Sequence, residues 1–194
     1  MTVILLLLVG VTGCAHRFPV DGSGRAVKAD EALVHQLTSD IQSLDRSVNP
    51  HEAREVADVA MNTAHQLAND YKVVRPAFVH NILVNTKFRS RGLCFHWADD
   101  LQDPLRQISL NSLHLYRVVS GMNTSHEHNA LVITPKEFPM RRGLLLDAWR
   151  HGGSLYWVRV RQDLKYNWIL RQDLPWIGIQ VEPKSSIDPA AVGH

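Results

Sequence analysis

The sequence predicts an α+β domain in which helices come first and an antiparallel sheet follows. Three observations carry this expectation. Apolar residues recur at spacings of three and four through the first half, the spacing drops to two beyond Pro104, and short turns rich in glycine and polar residues separate the later apolar runs.

Each element has its own signal. Ala29, Leu33, Leu37, Ile41 and Leu44 form one stripe, which predicts a first amphipathic helix. Asn49 and Pro50 supply an N-cap and a first-turn proline, and a second long helix continues to Tyr71. A third helix runs from Pro76 to Asn85, with Phe78, Ile82 and Leu83 as its core face. Cys94 opens a fourth helix that ends by Asp103, because the residue before Pro104 is pushed out of the helical region. Strands are expected over 112–121, 128–134, 143–150 and 154–162, with Gly152-Gly153 as the hairpin turn between the last two. A fifth strand is expected at 176–182, "WIGIQVE".

The N-terminus has a different composition. Val3 to Val11 is an apolar run far shorter than the ~20 residues that cross a bilayer, and small residues lead from it into Cys14. That pattern fits an export signal. "VTGC" resembles the bacterial lipobox, which implies cleavage before Cys14 and lipidation of its sulfur. Ala15, a residue other than Asp beside the modified cysteine, implies delivery to the outer membrane. The expected organisation is a signal peptide at 1–13, a Gly-rich polar tether at 14–28, one domain at 29–185 and a tail at 186–194.

Composition excludes several classes. A charged fraction of 21% and a hydrophobic fraction of 45% are those of an ordinary globular chain, not of a disordered or polytopic membrane protein. The net charge is +2 and no basic run reaches five residues, so nucleic acid is not an expected partner. The 11 histidines are scattered along the chain.

Once lipid occupies Cys14, Cys94 is the single thiol left and no intramolecular disulfide can form. A solitary thiol in an oxidising compartment is a small core residue, a partner of another molecule, or a nucleophile. The downstream order bears on the choice. "GLCFHWADDL", "LYRVVSG", "HNALVI" and "LLLDAW" place Cys at a helix start, His at a strand start and Asp at the end of an apolar strand. In this the chain resembles the transglutaminase-like, papain-related cysteine hydrolase superfamily, over roughly residues 75 to 165.

The resemblance implies a papain-like or transglutaminase-like core and a Cys94, His128, Asp147 triad. Chemistry gives each position a reason. A helix N-terminus and a neighbouring imidazolium both favour a thiolate. His128 would hold the proton taken from sulfur, and Asp147 would fix the ring's tautomer through its other nitrogen. The Cys94 N–H would serve an oxyanion hole, since first-turn amides have no intrahelical partner, and the family implies a second donor.

Duller readings stand beside these. Cys94 lies between Leu93 and Phe95, as a small core residue would, and His128 is also compatible with a surface strand end. Asp147 is harder to dismiss, because a carboxylate among leucines needs a partner. Trp97, Trp149 and Trp157 read as core or cleft walls rather than as a sugar platform. His126 and His128 could join Cys94 and Asp147 around zinc, but structural zinc sites carry paired ligands at both ends, so neither metal nor other cofactor is expected. Of the two histidines, His128 is the expected base, because "MNTSHE" has the composition of a loop and the regular strand starts at residue 128.

The expected function is therefore a cysteine hydrolase, a peptidase or amidase working through a thioester acyl-enzyme. It would be lipid-anchored in the bacterial cell envelope, on the outer membrane facing the periplasm, and act on a peptide or amide there. A transferase outcome, with an amine resolving the thioester, uses the same residues. The alternative from another class is a non-catalytic envelope lipoprotein that uses the same fold as a binding module.

Overall fold

The computed structural model describes residues 30–171. The expected signal peptide, Cys14, the tether, the tail and the strand at 176–182 lie outside the described residues. Four helices precede a five-stranded antiparallel sheet: α1 Glu31–Gln42, α2 Pro50–Asp70, α3 Ala77–Asn85, α4 Cys94–Leu105, then β1 Leu113–Ser120, β2 His128–Pro135, β3 Leu144–Asp147, β4 Tyr156–Arg159 and β5 Ile169–Leu170. The strand order is β4-β3-β2-β1-β5.

The two long helices begin where their caps dictate. Asp30 accepts from Ala32 N at 3.0 Å, and Asn49 accepts from His51 N at 2.8 Å, with Pro50 in the first turn of α2. Buried Glu52 then ties α2 to the sheet, accepting from Asn111 N at 3.0 Å and from both the backbone and hydroxyl of Ser112 at 2.9 Å. Burial opposes the charge on Glu52, but these donors outweigh it and lower the pKa.

Strand alternation splits the apolar residues between two cores. Leu131, Ile133, Leu144 and Leu146 face α1, α2 and α4, whereas Ala130, Val132 and Leu145 share the opposite face with Met140, Val160 and Trp168. Central β2 is buried along its whole length, as a strand covered on both faces should be.

Four expectations need correction. Helix α4 runs through Pro104 to Leu105. Proline forfeits one N–H there, but Arg106 N still bonds Gln102 O at 2.9 Å and burial of Leu105 in the main core holds the last turn. Phe78 and Ile82 are 63% and 55% exposed, and the residue that α3 buries is His80. The β3–β4 connection is longer than a two-residue hairpin turn, because Asp147 ends β3 by accepting from Trp149 N at 3.1 Å and Arg150 N at 3.0 Å. Gly152 and Gly153, both with positive φ, then close that turn back onto Trp149 O and Ala148 O. Lastly, β5 pairs with β1 at Val118 and Val119 and was not expected, since two residues carry no readable alternation.

Candidate active site

Cys94 is the first residue of α4, and side chains rather than a standard cap hold that helix start. His96 Nδ1 accepts from both Gly92 N and Leu93 N at 3.2 Å, and Trp97 Nε1 donates to Gly92 O at 3.0 Å. An accepting Nδ1 requires a neutral ring, and burial together with the Arg91 charge keeps the His96 pKa low. Gly92 itself has φ +124°, and a Cβ there would collide with the ring of His80. His80 in turn contacts Arg91 O at 3.0 Å through Nε2 and accepts from Val74 N at 3.3 Å. The loop that delivers the thiol is thus fixed from both sides.

His128 is the first residue of β2 and Asp147 the last of β3, and the antiparallel register, with Leu131 opposite Leu146, brings Asp147 within diagonal reach of His128 on the same face of the sheet. His128 Nε2 donates to Asp147 Oδ2 at 2.6 Å, and their side chains are 2% and 0% exposed. Rings of Trp149, Tyr166 and Trp168 surround the imidazole, with centroids 4.7, 4.7 and 5.4 Å away. The ring's other nitrogen, Nδ1, is buried and makes no hydrogen bond among the described residues.

A chain of ion pairs continues behind Asp147. Its Oδ2 also accepts from Arg150 Nε at 2.9 Å, and the Arg150 guanidinium grips Asp163 through two bonds of 3.2 and 2.7 Å. Trp168 Nε1 donates to Asp163 Oδ2 at 3.0 Å, so the residue that walls His128 is anchored to the same network. The carboxylate therefore accepts four bonds, a number that suits the ionised form.

Electrostatics follow from this geometry. Burial disfavours a charged His128, yet the Asp147 carboxylate outweighs it, Cys94 adds to the effect, and the pKa rises to about 9. Burial likewise opposes the charge on Asp147, but His128 and Arg150 overcome it and hold the carboxyl below its ordinary range. With Nε2 taken by Asp147, Nδ1 is the nitrogen left for Cys94.

Around the sulfur, Cys94 S–H donates to Glu127 O at 3.6 Å and Asn129 Nδ2 approaches Sγ to 3.9 Å. The Asn129 amide is itself oriented, with Nδ2 donating to Glu127 Oε1 at 2.9 Å and Oδ1 accepting from Arg171 at 2.8 Å. Arg117 spans β1 and α4 through Asp99 Oδ1 at 2.9 Å and Phe95 O at 3.3 Å.

No family model, curated protein or solved structure matches this chain. The site therefore rests on its own geometry.

The structure brings His128 and Asp147 into direct contact and sets the Cys94 sulfur against Glu127 and Asn129, the residues on either side of His128. His126 does not join them: it is exposed in the turn before β2, where its N–H bonds Thr124 Oγ1 at 3.1 Å. No group of three or more His, Cys, Asp or Glu side chains among the described residues is arranged to hold a metal ion. Of the tryptophans, Trp97 is core, Trp157 borders the core with its Nε1 on Asp40 at 2.8 Å, and Trp149 lies against the imidazole at a tilt of 53°. Sequence reasoning missed Arg150, Asp163, Asn129 and the aromatic wall from Tyr166 and Trp168. Only Arg150 carried a signal, a cation three residues after a carboxylate set in an apolar strand.

Proposed function

We propose that this chain is a lipid-anchored cysteine hydrolase, a peptidase or amidase of the transglutaminase-like type. The observation that carries the reading is the buried His128–Asp147 pair, whose ring leaves Nδ1 without a hydrogen bond among the described residues, together with the Cys94 sulfur held against Glu127 and Asn129 on either side of that histidine. A structural histidine has no need of that arrangement, whereas a catalytic base does.

The chemistry proceeds in two stages. A ring with pKa about 9 is protonated at neutral pH, and in this reading the proton it carries is the one taken from sulfur, so that the thiolate–imidazolium pair is the reacting form. Sulfur attacks the amide carbonyl, a C–S bond forms, and the oxyanion takes bonds from the Cys94 N–H and from Asn129 Nδ2, the second donor. His128 then gives its proton to the leaving nitrogen as the C–N bond breaks. In the second stage neutral His128 takes a proton from water, hydroxide adds to the thioester, and the released thiolate and imidazolium restore the pair. Asp147 stays ionised throughout and holds the ring.

The test is acylation by p-nitrophenyl acetate. The native chain should release a burst of p-nitrophenol and carry acetyl on Cys94 by mass spectrometry, and Cys94→Ala should do neither while keeping its circular dichroism spectrum. A burst that survives Cys94→Ala removes the nucleophile from the proposal. For the anchor, Cys14→Ser should abolish lipidation and leave uncleaved precursor in the membrane fraction; normal processing in that variant would end the lipoprotein reading.

A further inference from the structure

The face of α3 and the loop after it form the most unusual surface among the described residues. Phe78, Ile82 and Phe88 are 63%, 55% and 73% exposed, a cluster of large apolar side chains that a soluble domain seldom leaves uncovered. Phe78 and Ile82 lie one helical turn apart on the same face. The chain then reverses at Lys87, where φ is +64°, and Arg89 N bonds Leu83 O at 3.0 Å, which returns Phe88 to the end of the helix.

Charge along this segment of the chain has one sign. From residue 71 to residue 98 the sequence contains no Asp or Glu, while it contains Lys72, Arg75, Lys87, Arg89 and Arg91. Arg91 is paired with Asp100, but Lys72, Lys87 and Arg89 have no carboxylate partner among the described residues. The cavity described beneath α3, lined by Val73, Ala77 and His80 among others, has no room for a water molecule and so offers a small ligand no entry. A flat anionic partner with an apolar layer beneath its charges does fit, since aromatic and aliphatic side chains sink into such a layer while basic ones remain at its headgroups.

We propose that α3 and the 86–91 loop dock this domain on an anionic phospholipid surface, with Phe78, Ile82 and Phe88 inserted and Lys87 and Arg89 at the phosphates. This requires neither the hydrolase activity nor the lipid anchor. Because α4 begins three residues after Arg91, docking would set Cys94 at the edge of the membrane contact.

The experiment uses the full-length chain with Cys14→Ser, so that no acyl chain confuses the result, and compares vesicles of phosphatidylcholine alone with vesicles that also contain phosphatidylglycerol. Amide hydrogen exchange over residues 77–91 should slow only with the anionic vesicles. Lys87→Gln combined with Arg89→Gln should weaken vesicle binding about thirtyfold, at about fivefold for each basic residue near the surface. Phe88→Ser should abolish the protection. Any contribution from the N-terminal apolar run is common to all variants, and each altered side chain is outside the core, so circular dichroism should not change. Equal protection on both vesicle types, or none on either, overturns the proposal. Protection without vesicles also overturns it, pointing to a second copy if it grows with protein concentration and to another segment of this chain if it does not.

Discussion

Asp147→Asn is expected to lower folding stability by about 3–5 kcal/mol and to leave Cys94 slow to react. The side chain is fully buried and accepts from His128, Arg150 and two backbone amides. An asparagine oxygen can still take the bonds from Trp149 N and Arg150 N, but its Nδ2 then faces His128 Nε2–H and Arg150 Nε–H, so donor meets donor. Arg150 keeps Asp163, yet its charge is no longer matched. The effect should also depend on pH. The folded pKa of His128 is raised to about 9, so its contribution is fully present below the ordinary 6.5 and fades as pH rises through 9. The Asp147 pKa is lowered, so its contribution is present above the ordinary 3.8 and fades as pH falls below that. Urea unfolding across pH should therefore show the largest gap between native chain and variant from roughly pH 4 to 6.5, narrowing on both sides. A gap that does not vary with pH would mean that the two groups are not coupled as drawn.

His128→Ala is expected to slow alkylation of Cys94 by iodoacetamide near neutral pH by at least about tenfold, in line with the 10²–10⁴-fold typical of a lost general base. His126→Ala should change the rate by less than about threefold. The difference follows from place: His128 is 2% exposed, walled by three aromatic rings and fixed by Asp147, whereas His126 is an exposed turn residue. His128→Ala also leaves a cavity, so His128→Gln serves as a second variant that fills the space without supplying a base. If His126→Ala proved the slower of the two, the base assignment would fail.

Much of this was legible in the sequence because it sits at element boundaries, where local chemistry is loudest. Asn49-Pro50 starts α2 as its capping chemistry requires, and Cys94 and His128 start α4 and β2 where the apolar patterns begin. Asp147 stood out as a carboxylate in an apolar strand. What the sequence concealed depends on contacts between distant segments. Nothing local says that Arg150 reaches Asp163, or that Tyr166 and Trp168 fold back over His128. The apolar stripe of α3 misled for the opposite reason: Phe78 and Ile82 have core composition, but the side of the helix turned inward carries His80 and Asn81, which hold the Arg91 carbonyl and the indole of Trp149. Pro104 likewise reads as a stop signal until the burial of Leu105 is known.

The central claim is that Cys94 is a working nucleophile rather than a quiet core thiol. The most direct measurement is the iodoacetamide labelling rate of Cys94 in the folded native chain at pH 7, with the modified residue assigned by mass spectrometry and the same chain in urea as the reference. A thiolate beside the His128 imidazolium should label faster in the folded state than in the unfolded one, by about tenfold or more. If Cys94 instead labels only as the chain unfolds, the thiol is inert, and the fold serves as an envelope-binding module.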